Sequence, residues 1–325
     1  MTFTDYSHRR PYPLRTVRAG TTDWCLAATS PVDYRWGADA GSGPLGQIVS
    51  HADFSYVTPG AALSGLVAFH YVLCTNDAPF DEILCALLGQ VQIGIGGAAT
   101  WHVRGGAFAL PSLAVIGPTD RAVRMRAPAG FVAVGSALTP AGWHVLVGPD
   151  RALMNAVLPA ATVFGDIRAP LATRSTSTGT ALAALDAFLT DRATTRGPDP
   201  RIAAIDRWIV ETPDSDPATL AAEMALSRRA LERLTAATHG APPKRLSAKY
   251  RALMAAARLA VGDAVDWRTA APPGAFADQA HFIREFRRYV GVTPGQFIAS
   301  DDRFVRRLIR GQWQPGRELG IAIWS

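Results

Sequence analysis

The sequence predicts an α+β protein in two parts, an N-terminal half of short antiparallel strands and a C-terminal half made only of helices. Three observations carry this expectation. Between 51 and about 165, short apolar runs are broken by Gly and Pro, and in 131–138 large residues alternate with small ones at the period of a sheet. Beyond 200 the apolar spacing becomes helical, with capping residues in place at both ends of the runs. A chain of 325 residues also suggests two domains.

Residues 1–50 are rich in Gly, Ser, Thr, Pro and Asp and read as a loosely ordered extension. Strands are expected at 84–88, 91–95, 113–116, 122–126 and 131–138, punctuated by Pro111, Pro118, Pro128 and Pro140, as in an antiparallel barrel or sandwich. The stretch 59–71 reads as a helical or coil entry. Leu182, Leu185, Phe188 and Leu189 form a helical stripe that either packs on its own sandwich or pairs two subunits. The expected division is an extension at 1–50, a β-rich domain at 51–193 ending in that helix, a linker at 194–200, a helical domain at 201–310 and a tail at 311–325.

The helical half opens with Ile202, Ile205, Trp208 and Ile209 on one stripe. A short helix holding Leu220 and Ala221 follows, then a helix capped by Ser227 and ended by Gly240. Leu246, Tyr250, Leu253 and Ala257 continue in one long helix. In 276–297, Asp278 caps a helix, Gly291 suits a left-handed residue past its last turn, and Pro294 stops its resumption. Phe282, Phe286, Tyr289 and Val290 make its apolar side. Ala280, Ile283, Arg284, Arg287 and Arg288 lie opposite. The basic piece 303–310 reads as a helix packed on this domain.

Charge is partitioned. Residues 1–200 hold 14 Arg and 14 acids, whereas 201–310 hold 18 basic residues against 12 acids, which is the whole formal +6. That half is therefore the one suited to phosphate. No uncharged apolar run is long enough to cross a bilayer, and the N-terminus lacks the apolar core of a secretion signal. Cys25, Cys74 and Cys85 are odd in number and lack metal spacing, so free buried thiols in a reduced cytoplasm are expected. His51, His70, His102 and His144 are isolated, without a His-x-His pair, and read as structural. The glycine-rich 89–97 has neither the spacing nor the following helix of a phosphate loop. No catalytic residue, metal site or cofactor is expected.

The 276–297 pattern resembles the second helix-turn-helix signature of AraC-type transcription regulators through Phe276, Asp278, Phe282, Arg284, Phe286, Gly291, Thr293, Pro294 and Phe297. The first helix-turn-helix matches through Leu220, Ala221, Ser227, Arg229, Leu231, Arg233 and Gly240. Two departures stand out there: Ala225 where the turn usually has Gly, and Thr235 where a core aromatic is usual. In the second unit the support helix is short and meets Pro272-Pro273, and Trp267 is expected to fill the space it leaves. More weakly, 110–165 resembles a cupin-like sensory domain.

The resemblance implies a cytoplasmic, sequence-specific DNA-binding regulator and not an enzyme. Its helices 227–239 and 278–290 would enter successive major grooves about 34 Å apart. Arg228, Arg229, Glu232 and Arg233 would face the first groove, and Gln279, Ala280, His281, Arg284, Arg287 and Arg288 the second. Arg can bond guanine bidentately and Gln adenine. In the family the arginine aligned with Arg284 serves either the groove or the scaffold. Implied partners are double-stranded DNA, a small-molecule effector in the N-terminal domain, a homodimer mate and RNA polymerase, with no membrane. Two alternatives are a protein–protein adaptor with degenerate helix-turn-helix folds and, behind it, a cupin-type enzyme.

This reading separates scaffold from readout in one helix. Phe286→Ala should cost about 3–5 kcal/mol of stability through lost burial and a cavity. Gln279→Ala should leave the melting temperature nearly unchanged but alter the DNA sites selected. Thermal melts and site selections on both variants decide it, and a parent-like melt for Phe286→Ala would refute the orientation.

Overall fold

The computed structural model describes residues 52–148, 151–165, 177–194, 197, 199–211, 216–264, 266–271 and 274–312. The extension 1–50, Pro272-Pro273 and the tail from 313 lie outside them. The N-terminal half is a sandwich of two antiparallel sheets. The larger has the order β1 (Ala52–Val57), β2 (Val67–Thr75), β9 (Val132–Leu138), β4 (Gly89–Ile95), β7 (Leu113–Ile116) and β10 (Val157–Pro159). The smaller has the order β3 (Phe80–Leu84), β8 (Val123–Ala127), β5 (Thr100–Val103) and β6 (Gly106–Ala109).

Two expectations are corrected here. The 84–88 run is not a strand: β3 ends at Leu84, and residues 85–88 form a connection buried throughout. Their continuous apolarity reflects burial on all sides, which periodicity cannot distinguish from a core strand. The 59–71 entry holds only one short helical turn, Ala61–Leu63, because β2 starts at Val67 and pairs with both β1 and β9.

After α1 (Ala160–Phe164), helix α2 (Thr178–Ala193) lies on the outer face of the larger sheet. Leu182, Leu185 and Leu189 pack there with Val72, Val91, Val115 and Val134. The stripe is thus used within its own sandwich. Buried His70 stitches it down: Nδ1 lies 2.7 Å from Ser136 Oγ and Nε2 3.0 Å from Asp186. Burial, only partly offset by Asp186, holds the His70 pKa below its ordinary value. Cys85 is free and buried, whereas Cys74 is disulfide-bonded, contrary to the free thiol expected there. An odd cysteine count does not reveal which thiols the fold brings together.

The helical half comprises α3 (Pro200–Glu211), α4 (Pro217–Glu223), α5 (Arg228–Thr238), α6 (Pro243–Val261), α7 (Trp267–Ala270), α8 (Gln279–Val290), α9 (Pro294–Ile298) and α10 (Phe304–Gln312). Helix α6 is its axis, with Leu246, Leu253, Ala256 and Ala257 at most 1% exposed. The basic piece 303–310 does form a helix packed on the domain, but α10 also seals one end of the sandwich. Phe304 sits edge-on to Phe80 at 4.9 Å, and the Tyr56 hydroxyl donates to the Leu308 carbonyl at 2.9 Å. One apolar core therefore runs from between the sheets into the helices.

On α6, the Lys249 ammonium is buried without a hydrogen-bond partner. Burial pushes its pKa down to about 8, while Cys85 and Asp120 nearby oppose the shift. Below that pH both folded and unfolded chains carry the charge, and burying it costs the full penalty. From about 8 to the ordinary 10.5 only the unfolded chain keeps the proton, so this penalty fades as pH rises. Lys249→Met should stabilise the protein at pH 7 by roughly a few kcal/mol. That advantage should shrink toward pH 10 in parallel melts, and a pH-independent difference would refute it.

Candidate nucleic-acid interface

Each recognition helix is held by local chemistry at its start. Asp216 caps α4, accepting from Ala218 N at 3.1 Å, and the turn closes with Leu226 N donating to Ala221 O at 2.8 Å. Ser227 then caps α5 by accepting from Ala230 N at 3.2 Å. The turn residue Ala225 has φ 51°, the left-handed conformation that glycine adopts without penalty. Thr235, buried where an aromatic was anticipated, returns its hydroxyl to the Glu232 carbonyl at 3.2 Å, and Leu234 packs partly buried beside it. Arg228, Arg229 and Arg233 are exposed on α5, with Arg228 Nε 3.0 Å from Glu232 Oε1.

In the second unit Asp266 and Thr269 form a reciprocal capping box on the single-turn α7. Trp267 stacks on Phe282 with centroids 6.1 Å apart, so it occupies the space beside the shortened support. Asp278 Oδ1 caps α8 by accepting from His281 N at 2.7 Å. Phe282 packs on Phe276 and Phe286, and Phe286 packs on Phe297, at centroid separations of 5.1, 5.4 and 5.4 Å. Gln279, Ala280, Arg284 and Arg287 are exposed, and at 100° per residue they share one side of the helix. His281 is half-buried, with Nδ1 accepting from Ala277 N at 3.2 Å.

Arg288 leaves that side and joins the sandwich. Asp120, 3% exposed, takes the guanidinium of Arg104 and lies 3.3 Å from Arg121, 3.4 Å from Arg245 and 3.6 Å from Arg288. Burial alone would raise its pKa, but hydrogen bonds and charge from Arg104 and Arg121 hold it below the ordinary carboxylate value. Two backbone donors of the sandwich also cap the end of α8: Ala122 N reaches Arg288 O at 2.9 Å, and Ala86 N reaches Tyr289 O at 2.7 Å. These carbonyls have no partner inside the helix. Gly291, at φ 92°, ends the helix so close to the sandwich that a Cβ would lie 2.2 Å from Ile83. The Asp120 cluster escaped the sequence reading because its members are spread from residue 104 to residue 288, with no local pattern linking them.

A family model described as a helix-turn-helix domain matches residues 220–300. Residues 220–300 are an AraC-type helix-turn-helix domain, and the chain is a DNA-binding transcription regulator. Comparison with curated proteins gives no match. Among solved structures, ToxT from Vibrio cholerae is similar at 10% identity, covering 70% of this chain and 97% of its own, with a TM-score of 0.43. ToxT bound to (E)-4-(8-methylnaphthalen-1-yl)but-3-enoic acid also gives 10% and 0.43, over 70% of this chain and 98% of that one. The AraC-like transcriptional activator CuxR gives 11% identity and 0.21 over 57% and 80%. The assignment rests on the family model and not on these structures.

Within the helix-turn-helix domain, the non-glycine at φ 51° gives a direct test. Ala225→Gly should raise stability by about 1 kcal/mol, since a left-handed L-residue costs that much or more. A lower melting temperature for the variant would show that the alanine methyl group contributes more than the strain costs.

Proposed function

We propose that the chain reads double-stranded DNA with α5 and α8 in successive major grooves, and that its chemistry is recognition without catalysis. The observation that supports this is that each helix buries one side in a common core and leaves polar, hydrogen-bonding side chains on the other. Arg228, Arg229, Glu232 and Arg233 serve the first groove, and Gln279, Ala280, His281, Arg284 and Arg287 the second. Arg288 is assigned to seating the end of α8 through Asp120. In this reading Arg284 is a groove residue, since it is exposed and not part of the scaffold.

No helix among the described residues is long and apolar enough to cross a membrane. A cytoplasmic site of action, where chromosomal DNA and RNA polymerase are met, fits this reading. The effector site is placed between the two sheets, in a cavity of about 30 Å³ lined by Phe54, Phe69, Tyr71, Trp101, Met125 and Leu308. The Tyr71 hydroxyl lies 2.6 Å from Gln90 Oε1 there, while Gln92 Nε2 and Trp101 Nε1 are buried donors without an acceptor. A ligand carrying an acceptor oxygen would satisfy them. The present volume suits water, so a larger effector must displace α10, whose Leu308 lines the cavity.

The test is selection of bound duplexes from a random pool with the parent and Arg233→Ala. The parent should enrich a two-part site. The variant should lose about 1–3 kcal/mol at one base position and relax the preference there. Uniform weakening would assign Arg233 to phosphate. No enrichment by the parent would refute sequence-specific reading and favour the adaptor alternative.

A further inference from the structure

The balanced charge of the N-terminal half hides an uneven arrangement. Residues 52–148 contain four arginines and no lysine. All four, Arg104, Arg121, Arg124 and Arg126, gather around Asp81 and Asp120 beside the end of α8. On β8, Arg124 and Arg126 point outward while Val123, Met125 and Ala127 point into the core. Arg245 and Arg288 of the helix-turn-helix domain share the same Asp120 carboxylate. Exposed Arg287 completes a cluster of seven guanidiniums around two carboxylates, and the nearby Glu82 acts on Arg124 as well as on Arg303 and Arg307.

Four of these arginines line an open cleft of about 350 Å³, Arg121 and Arg124 from the sandwich, beside His102, and Arg287 and Arg288 from α8. The Arg288 Nε is buried without a hydrogen-bond partner. Arg287 shares its side of α8 with Ala280 and Arg284, the side assigned to the groove. Backbone that comes within reach of Arg287 at the end of this helix would next meet Arg121 and Arg124.

We propose that the sandwich is itself part of the DNA interface: Arg121 and Arg124 extend the basic side of α8 and bind backbone phosphates flanking the second major groove. This rests on the DNA-reading role of α8. Phosphate fits the cleft because Arg121, Arg124 and Arg288 each share a carboxylate with at least one other arginine and Arg287 adds a further charge, leaving a net positive charge for an anion to neutralise. Such contacts add affinity and register without base discrimination. The N-terminal half would then contribute to binding through position and not through net charge, and any movement of the sandwich relative to α8 would change DNA affinity directly.

The experiment measures duplex affinity against salt for the full-length parent, the Arg121→Ala/Arg124→Ala double variant and the matching double-lysine variant, with thermal melts to establish folding. The alanine variant should weaken binding several-fold or more on every sequence, and its log–log salt slope should be shallower by about one per arginine. Its site preference should stay that of the parent. The lysine variant should restore most of the slope, since a phosphate accepts a point charge. A folded alanine variant with parental affinity and slope overturns this inference alone. A gain in affinity overturns it too, by showing that the sandwich obstructs DNA. A parent that binds no DNA overturns the DNA-reading role itself.

Discussion

The end of the second recognition helix is held by the sandwich, and much of the architecture depends on that junction. A helix leaves its last carbonyls without internal partners. Here two of them are met by backbone N–H groups of Ala86 and Ala122, which follow β3 and precede β8 at the same end of the smaller sheet. Asp120 is buried beside them with four guanidiniums, two from each half. A buried carboxylate is tolerable only when paired and hydrogen-bonded. The pairing thus fixes the separation of the halves as well as neutralising the charge. The first recognition helix is also approached by the sandwich: a Cβ on Gly240 would lie 2.0 Å from the Met154 side chain. Both reading helices end against the same body.

Helix α10 supplies the second tie. Its arginines do little as free surface charge: Arg307 donates to the Ala52 carbonyl and Arg310 to the Ala260 carbonyl, at 3.1 and 2.9 Å. The helix therefore bridges β1 and α6, while Leu308 closes the cavity between the sheets. Under the proposed function, an effector that enlarges this cavity would act on the packing of the helix-turn-helix domain without touching DNA. Coupling of that kind needs only one element with two seatings, each preferred by a different occupant of the cavity.

The departures from the family pattern show how tertiary packing accommodates an imperfect local sequence. The second support helix is reduced to Trp267–Ala270, and the indole of Trp267 stacks on Phe282 in its place. Thr235 is too small to replace an aromatic. It is nevertheless fully buried, with its hydroxyl satisfied by its own helix and Leu234 packing nearby. Ala225 keeps the turn geometry at the expense of backbone strain.

The sequence by itself determined the local features of the interface. Ser227, Asp278, Gly291 and Pro294 mark helix ends because capping acts over three or four residues, and Phe282, Phe286 and Tyr289 reveal their buried side because helical periodicity is local. Four of the five anticipated strand runs were legible for the same reason, the alternation of side chains along a strand. Tertiary structure alone decided that the apolar 85–88 run is a buried connection, that 182–189 faces its own sheet, and that α10 seals the sandwich. It also brought Asp120 to Arg245 and Arg288, 125 and 168 positions along the chain. Apolar periodicity says that a side is buried but not against what, and a charged residue gives no sign of its partner until the chain has closed the distance.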